Sequence, residues 1–256
     1  MRNYGRTFFF FVMLILQFSS CSRSNYIEKS KKLAEKAVEK GNFRSAFKYY
    51  FRAAREGDAQ AQTAVGTFYS DGLIGNSDYE KAVFWYEKAA SQGDSDAQVN
   101  LGYAYLYGNG VSVDYEKARA FFEESAKQNN FGGLYAMGLV YANAYGVEKN
   151  LEKAFYWFKK AANYSDFAAS DAQFNVALMY EKGWGTEQDF SEAIKWYEKA
   201  SENEHADSLL NLGFMYYYGK GVQPNISKTK ELWKKASDLG NEDAKNNLQI
   251  LEDRGD

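Results

Sequence analysis

Ser45 and Lys48 stand one helical turn apart in Ser45-Ala-Phe-Lys48, the S-x-x-K arrangement in which a serine acts as an acyl-transfer nucleophile. The S-D-N and K-T-G sequences that accompany such a serine are missing. Ala46 and Tyr50 already account for the segment as a packed helix face, so Ser45 is read as helical and not catalytic. Histidine and thiol chemistry is bounded by number, because His205 and Cys21 are each single. A structural zinc site draws about four such ligands, so no metal, no cofactor and no Ser–His pair is expected. His205 falls in a turn, where a solvent-exposed loop residue is expected. Glu123 and Glu124 read as helix surface. Paired glycines such as Gly108 and Gly110 lack the preceding strand and third glycine of a dinucleotide-binding turn. Nothing in this inventory demands an enzyme.

The elements that would position any site recur at a fixed period. Asn42, Asp78, Asp114, Asn150, Asp189 and Asn225 are spaced by 36, 36, 36, 39 and 36 residues. Four positions after each stands a small residue (Ala46, Ala82, Ala118, Ala154, Ala193, Thr229), and eight after each an aromatic (Tyr50, Tyr86, Phe122, Phe158, Tyr197, Trp233). Eleven after each the chain returns to Ala or Ser. Asx is a good helix N-cap, and these offsets trace one face of a 3.6-residue period. A second helix is predicted before each of them. It carries Gly66, Gly102, Gly138, Ala177 and Gly213 in register, each followed three residues later by a tyrosine. Glycine inside a helix costs roughly 1 kcal/mol against Ala, so its recurrence implies close helix–helix approach. A period of this length signals a solenoid.

The pattern resembles the Sel1-like repeat family, relatives of the tetratricopeptide repeats. It stands nearly complete in Ala97 to Ala126 and in Leu209 to Ser237, with departures at Ala144, Ala177 and Thr229 and three extra residues within Asn163–Ser170. The resemblance implies an all-α, right-handed α/α solenoid of helix-turn-helix repeats. Five repeats are expected over 58–241, after a tetratricopeptide-like capping pair over 26–57 and before a capping helix over 242–256. The 21 Tyr, 19 Phe and single Pro suit a helical stack filled by rings.

Residues 1–20 read as a leader. Arg2 and Arg6 precede the apolar run Phe8–Leu16, which is shorter than the about 20 residues of a membrane span but suits a signal-peptide core. Phe18-Ser19-Ser20-Cys21 resembles a bacterial lipobox, which implies a lipidated Cys21 followed by a short tether over 21–25. No Asp follows Cys21, which favours the outer membrane. The protein is therefore expected in a bacterial cell envelope, lipid-anchored and facing the periplasm. In that setting the sequons at Asn163 and Asn225 read as loop and cap residues. Loss of Arg2 and Arg6 would take the formal charge from −3 to −5. An acidic chain is unsuited to nucleic acid, which needs a basic footprint.

In tetratricopeptide-like stacks the first helix of each repeat lines a concave face. Counting one, four and five residues after each anchor glycine, and three before it, gives Tyr103, Leu106, Tyr107, Tyr135, Asn143, Phe174, Lys182, Phe214, Tyr217 and Tyr218 as partner-binding candidates. The first Sel1-like repeat offers the polar Thr63, Thr67, Ser70 and Asp71 there instead. The resemblance implies a protein–protein interaction adaptor that holds a protein or peptide client in this groove. The alternatives are an immunity protein against a secreted antibacterial phospholipase and, on Ser45 alone, a cell-wall or β-lactam hydrolase. Replacing Cys21→Ala is expected to abolish incorporation of a palmitate analogue and leave unprocessed precursor. Persisting label would contradict the lipobox reading.

Overall fold

Capped turns fix where the helices begin. In the computed structural model, which describes residues 23–164 and 169–254, each of the six recurring Asx side chains accepts the backbone N–H three residues on. The recipients' partners are Ser45, Lys81, Lys117, Lys153, Glu192 and Lys228, at 2.8–3.0 Å. Among the described residues there are thirteen helices and no strand. They are α1 (23–39), α2 (Phe43–Arg55), α3 (Ala59–Ser70), α4 (Tyr79–Ala90), α5 (Ser95–Tyr107), α6 (Tyr115–Lys127) and α7 (Phe131–Asn143). There follow α8 (Leu151–Ala162), α9 (Ser170–Lys182), α10 (Phe190–Ser201), α11 (Ala206–Tyr218), α12 (Ile226–Asp238) and α13 (Glu242–Arg254). The fold is an all-α, α/α solenoid of helix-turn-helix repeats, as the register predicts. Among the described residues no helix is long and apolar enough to cross a membrane.

The tyrosine and Asx registers turn out to be one closure. The backbone N–H of Asp78, Asp114, Asn150, Asp189 and Asn225 donates to the carbonyl of Tyr69, Tyr105, Tyr141, Tyr180 and Tyr216, at 2.8–3.0 Å. This bond satisfies a carbonyl left over at the end of the first helix and folds each hairpin shut. Lysines one turn into the second helix then lie over three of the rings, Lys81 on Tyr69, Lys117 on Tyr105 and Lys153 on Tyr141, 4.9–5.4 Å from the centroids.

Packing divides the chain into two units, one ending at Phe121 and one beginning at Phe122. In the first, α2 packs on α3, α3 on α4 and α4 on α5; in the second, each helix from α7 to α13 packs on the next. Residues 23–25, expected as tether, are the first residues of α1. The leader and Cys21 lie outside the described residues, as do residues 165–168, where the lengthened turn is expected.

One contact recurs inside the hairpins. The second-helix aromatic lies across the anchor glycine twenty residues earlier. A Cβ at Gly66 would stand 2.5 Å from the Tyr86 ring, and one at Gly138 2.5 Å from the Phe158 ring; at Gly213 it would collide with Trp233 Nε1. Tyr86, Phe158 and Trp233 are almost wholly buried, as are the small residues four and eleven after each Asx. The repeat with Ala177 as its anchor still buries Tyr197 completely. Gly66→Ala is therefore expected to destabilise by about 1–2 kcal/mol, overpacking of about 1–3 kcal/mol outweighing a helix-propensity gain of at most about 1 kcal/mol. Ala177→Gly should also destabilise, by about 1 kcal/mol. Urea denaturation of the two variants checks this, and a stabilised Gly66→Ala protein would contradict it.

Candidate functional site

The structure separates the four register positions expected to meet a partner. Five residues after the anchor, Asp71, Tyr107, Asn143, Lys182 and Tyr218 are all exposed, Tyr107 at 60% and Tyr218 at 61%. Four after the anchor, the side chain returns to the anchor's own face of the helix. Leu106 is 5% exposed and belongs to the core. Tyr217 is half-buried, its ring 5.8 Å from that of Trp233. Leu106 therefore corrects the expected groove, whereas Tyr217 stays partly accessible. Three before the anchor, Tyr135 and Phe174 are half-buried seam residues, with ring centroids 5.4 Å from Phe158 and 6.0 Å from Tyr197. One after the anchor, Tyr103 stacks on Tyr107 (6.0 Å, 2° between planes) and Phe214 on Tyr218 (6.1 Å, 10°). Phe214 also packs edge-on to Trp233 at 5.1 Å.

In the first unit two recesses adjoin on the faces of α3 and α5. One, of about 490 Å³, lies among Val38, Phe43, Tyr50, Thr63, Thr67 and Asp96. The other, of about 220 Å³, lies among Asp71, Tyr79, Tyr86, Tyr103 and Asn109. Asn100 lines both. Its carboxamide forms no hydrogen bond among the described residues, whereas the matching Asn175 and Asn211 donate to Tyr135 Oη (3.4 Å) and Tyr197 Oη (3.1 Å). Tyr86 Oη is held by Ser70 Oγ at 3.1 Å, so the polar end of the expected groove partly serves a buried ring. Burial pushes the Tyr86 phenol up, and it stays neutral.

The second unit holds a buried carboxylate. Glu181, 7% exposed, accepts from Tyr197 Oη at 2.9 Å and pairs with Lys182 Nζ at 2.7 Å and Lys220 Nζ at 3.5 Å. Burial drives its carboxyl up, but donation from Lys182 and Tyr197 outweighs this and holds it below the ordinary range. Burial and the Glu181 charge push the Tyr197 phenol far up, so it remains a donor. Lys182 is thus an ion-pair partner at the surface. His205, expected as an exposed loop residue, is the N-cap of α11: its Nδ1 accepts from the Ser208 backbone N–H at 3.1 Å. That bond places the ring proton on Nε2, 3.2 Å from Asp171 Oδ1, with the ring against Phe174 at 5.0 Å. His205 takes the place of Asp58, Asp94 and Asn130, the caps of α3, α5 and α7.

Ser45 sits in the first turn of α2, its backbone N–H donating to Asn42, and no hydrogen bond joins its hydroxyl to Lys48. Among the described residues no group of three or more His, Cys, Asp or Glu is placed to hold a metal.

The Sel1 repeat family model matches residues 21–42, 35–58, 59–94, 95–130, 133–163, 170–205 and 206–241. The chain is a Sel1 repeat protein. The family match extends into α1 and α2 as well as the five repeats from Ala59 onward. Sel1 repeats generally mediate protein–protein interactions. The fold is similar to a Sel1 repeat protein from Oxalobacter formigenes, 28% identical, with a TM-score of 0.79 over 88% of this chain and 89% of that one. It is also similar to a protective antigen present in uropathogenic Escherichia coli strains, 28% identical, TM-score 0.78, over 93% of this chain. The match spans 51% of that antigen, about half its length. The immunity protein Pa5087 from Pseudomonas aeruginosa, 14% identical with a TM-score of 0.51 over 85% of this chain and 82% of that one, shares the fold alone. A comparison with curated proteins gives no match.

Sequence reasoning missed Asn100 and Glu181 in this Sel1 repeat protein. The signal for Asn100 was its recurrence two residues before the anchor, with Asn175 and Asn211. The signal for Glu181 was a tyrosine at the buried ring position, since a buried hydroxyl needs a partner. Glu181→Ala is expected to destabilise by about 1–3 kcal/mol at neutral pH, the cost of leaving a buried donor unpaired. Because the folded carboxyl is held low, its contribution is complete above the ordinary carboxylate range and fades as the pH falls through the lowered value. The gap between wild type and variant, read from urea midpoints against pH, should therefore narrow in acid. A gap independent of pH would contradict the charged pairing.

Proposed function

We propose that this Sel1 repeat protein is a non-catalytic binding module that holds an extended protein or peptide segment against its first helices. The observation that carries this reading is the unpaired carboxamide of Asn100 between two recesses. Amide donor and acceptor together match the N–H and C=O of a peptide backbone. Tyr103 and Tyr107 beside it supply rigid contact area at low entropic cost. In the second unit Tyr218, stacked on Phe214, offers a further exposed ring. The lipobox-like run ending at Cys21 supports a lipid anchor. With it goes a place in a bacterial cell envelope facing the periplasm, at the outer membrane. The low identity of the Pseudomonas immunity protein gives no ground for carrying its role over, so the client is left as a protein or peptide.

Affinity capture from envelope extracts, followed by titration of the captured client, tests the surface. Asn100→Ala, Tyr107→Ala and Tyr218→Ala are each expected to weaken binding about thirtyfold, the equivalent of about 2 kcal/mol for an anchor residue, with melting nearly unchanged. Client affinity unaltered in all three would overturn the proposed face. Ser45→Ala should be silent in binding and in nitrocefin hydrolysis.

A further inference from the structure

The face of α11 opposite Phe214 and Tyr218 opens into a second groove, of about 650 Å³, bounded by α10, the following turn and α12. At 100° per residue Leu209 and Leu212 lie across the helix from Phe214 and Tyr218. With Leu232 they form its buried floor, each at most 5% exposed, and Leu239, 42% exposed, is the apolar side chain open to a ligand. The groove's volume lies within the range of about 300–1,000 Å³ typical of ligand-binding clefts.

Its rim is acidic in a specific way. On the α12 side Lys228 and Lys235 share the one carboxylate of Glu231, at 3.0 and 2.8 Å, which leaves a single positive charge over there. Asp238 is paired with Lys234 at 3.2 Å. On the α10 side Glu198, Glu202 and Glu204 line the groove and form no ion pair among the described residues. Glu204 adopts φ +58°, where the equivalent turns use Gly57, Gly93 and Gly240 at +94°, +89° and +91°. A glutamate there accepts a backbone conformation that glycine adopts without strain, and it puts a third carboxylate on the rim. The pattern therefore offers an apolar slot with unbalanced negative charge along one edge.

We infer that this groove docks a basic amphipathic peptide segment, which lays an aliphatic side chain against Leu239 over the buried leucine floor and sets Lys or Arg against Glu198, Glu202 and Glu204. Charge complementarity of this kind gives specificity and a salt-dependent association rate. The inference concerns a different face from the one proposed for the client above, so each can fail without the other.

The test uses the full chain and two fluorescent synthetic peptides with the same leucine face, one with lysine and one with glutamate on its polar face. Fluorescence anisotropy should show the lysine peptide binding, more weakly as salt rises, and the glutamate peptide not binding. The double variant Glu202→Gln/Glu204→Gly should weaken the lysine peptide about tenfold or more. It should melt no lower than wild type, because glycine relieves the left-handed turn, so the loss cannot be ascribed to unfolding. Leu239→Arg should weaken binding similarly, and Tyr107→Ala should leave it unchanged. Three results would overturn the inference. One is equal binding of both peptides. Another is an equal loss with Glu123→Gln/Glu124→Gln, which would mark unspecific charge attraction. The last is a Leu239→Arg variant that only disperses a self-associated form, which would make a second copy the occupant.

Discussion

A large ring in the second helix of each hairpin must lie against the first helix, and the residue beneath it decides how close the two can come. At Gly66, Gly138 and Gly213 the ring occupies the space a Cβ would fill. Burying such a ring stabilises by about 1.5–3 kcal/mol, more than the roughly 1 kcal/mol that a helical glycine costs. The small residues four and eleven after each Asx are buried on the same helix face and let neighbouring helices approach. Cap, ring and glycine are thus parts of one arrangement, and the Asx-to-tyrosine backbone bond closes it.

This arrangement also determines which side chains remain for a partner. A tyrosine in the ring position carries a hydroxyl into the core, and the residue four after the anchor answers it: Ser70 for Tyr86 and Glu181 for Tyr197. Trp233 instead donates its indole N–H to the Leu210 carbonyl at 3.0 Å. The position four after the anchor is therefore tied to the interior. The next residue clears the ring and points away, which leaves Asp71, Tyr107, Asn143, Lys182 and Tyr218 at the surface. Among the described residues Asn100, which lines both recesses, forms no hydrogen bond through its carboxamide.

Most of the fold was legible in the sequence because caps and buried small residues are local signals. All six Asx residues cap helices, and the paired Gly and Tyr registers marked the facing helix. The candidate site was legible only in part. Transferring helical positions from one family geometry to another put Leu106 on the surface, because periodicity gives the face of a helix but not which neighbour covers it. His205 was read as loop, since Asp, Asn and Ser are the usual caps and imidazole is a less familiar one. Glu181 drew no notice in the sequence, because periodicity does not pair the buried Tyr197 hydroxyl with its acceptor.

The account rests on the ring and the anchor sharing one space, and a double-mutant cycle at Gly138 and Phe158 measures this most directly. If they do, adding a methyl at Gly138 is harmful only while the full phenyl ring is present. Gly138→Ala should then destabilise the wild type, yet be neutral or stabilising in a Phe158→Leu background, giving a coupling of about 1 kcal/mol or more. Additive effects, within about 0.5 kcal/mol, would show that the two residues do not compete for space and would contradict the account.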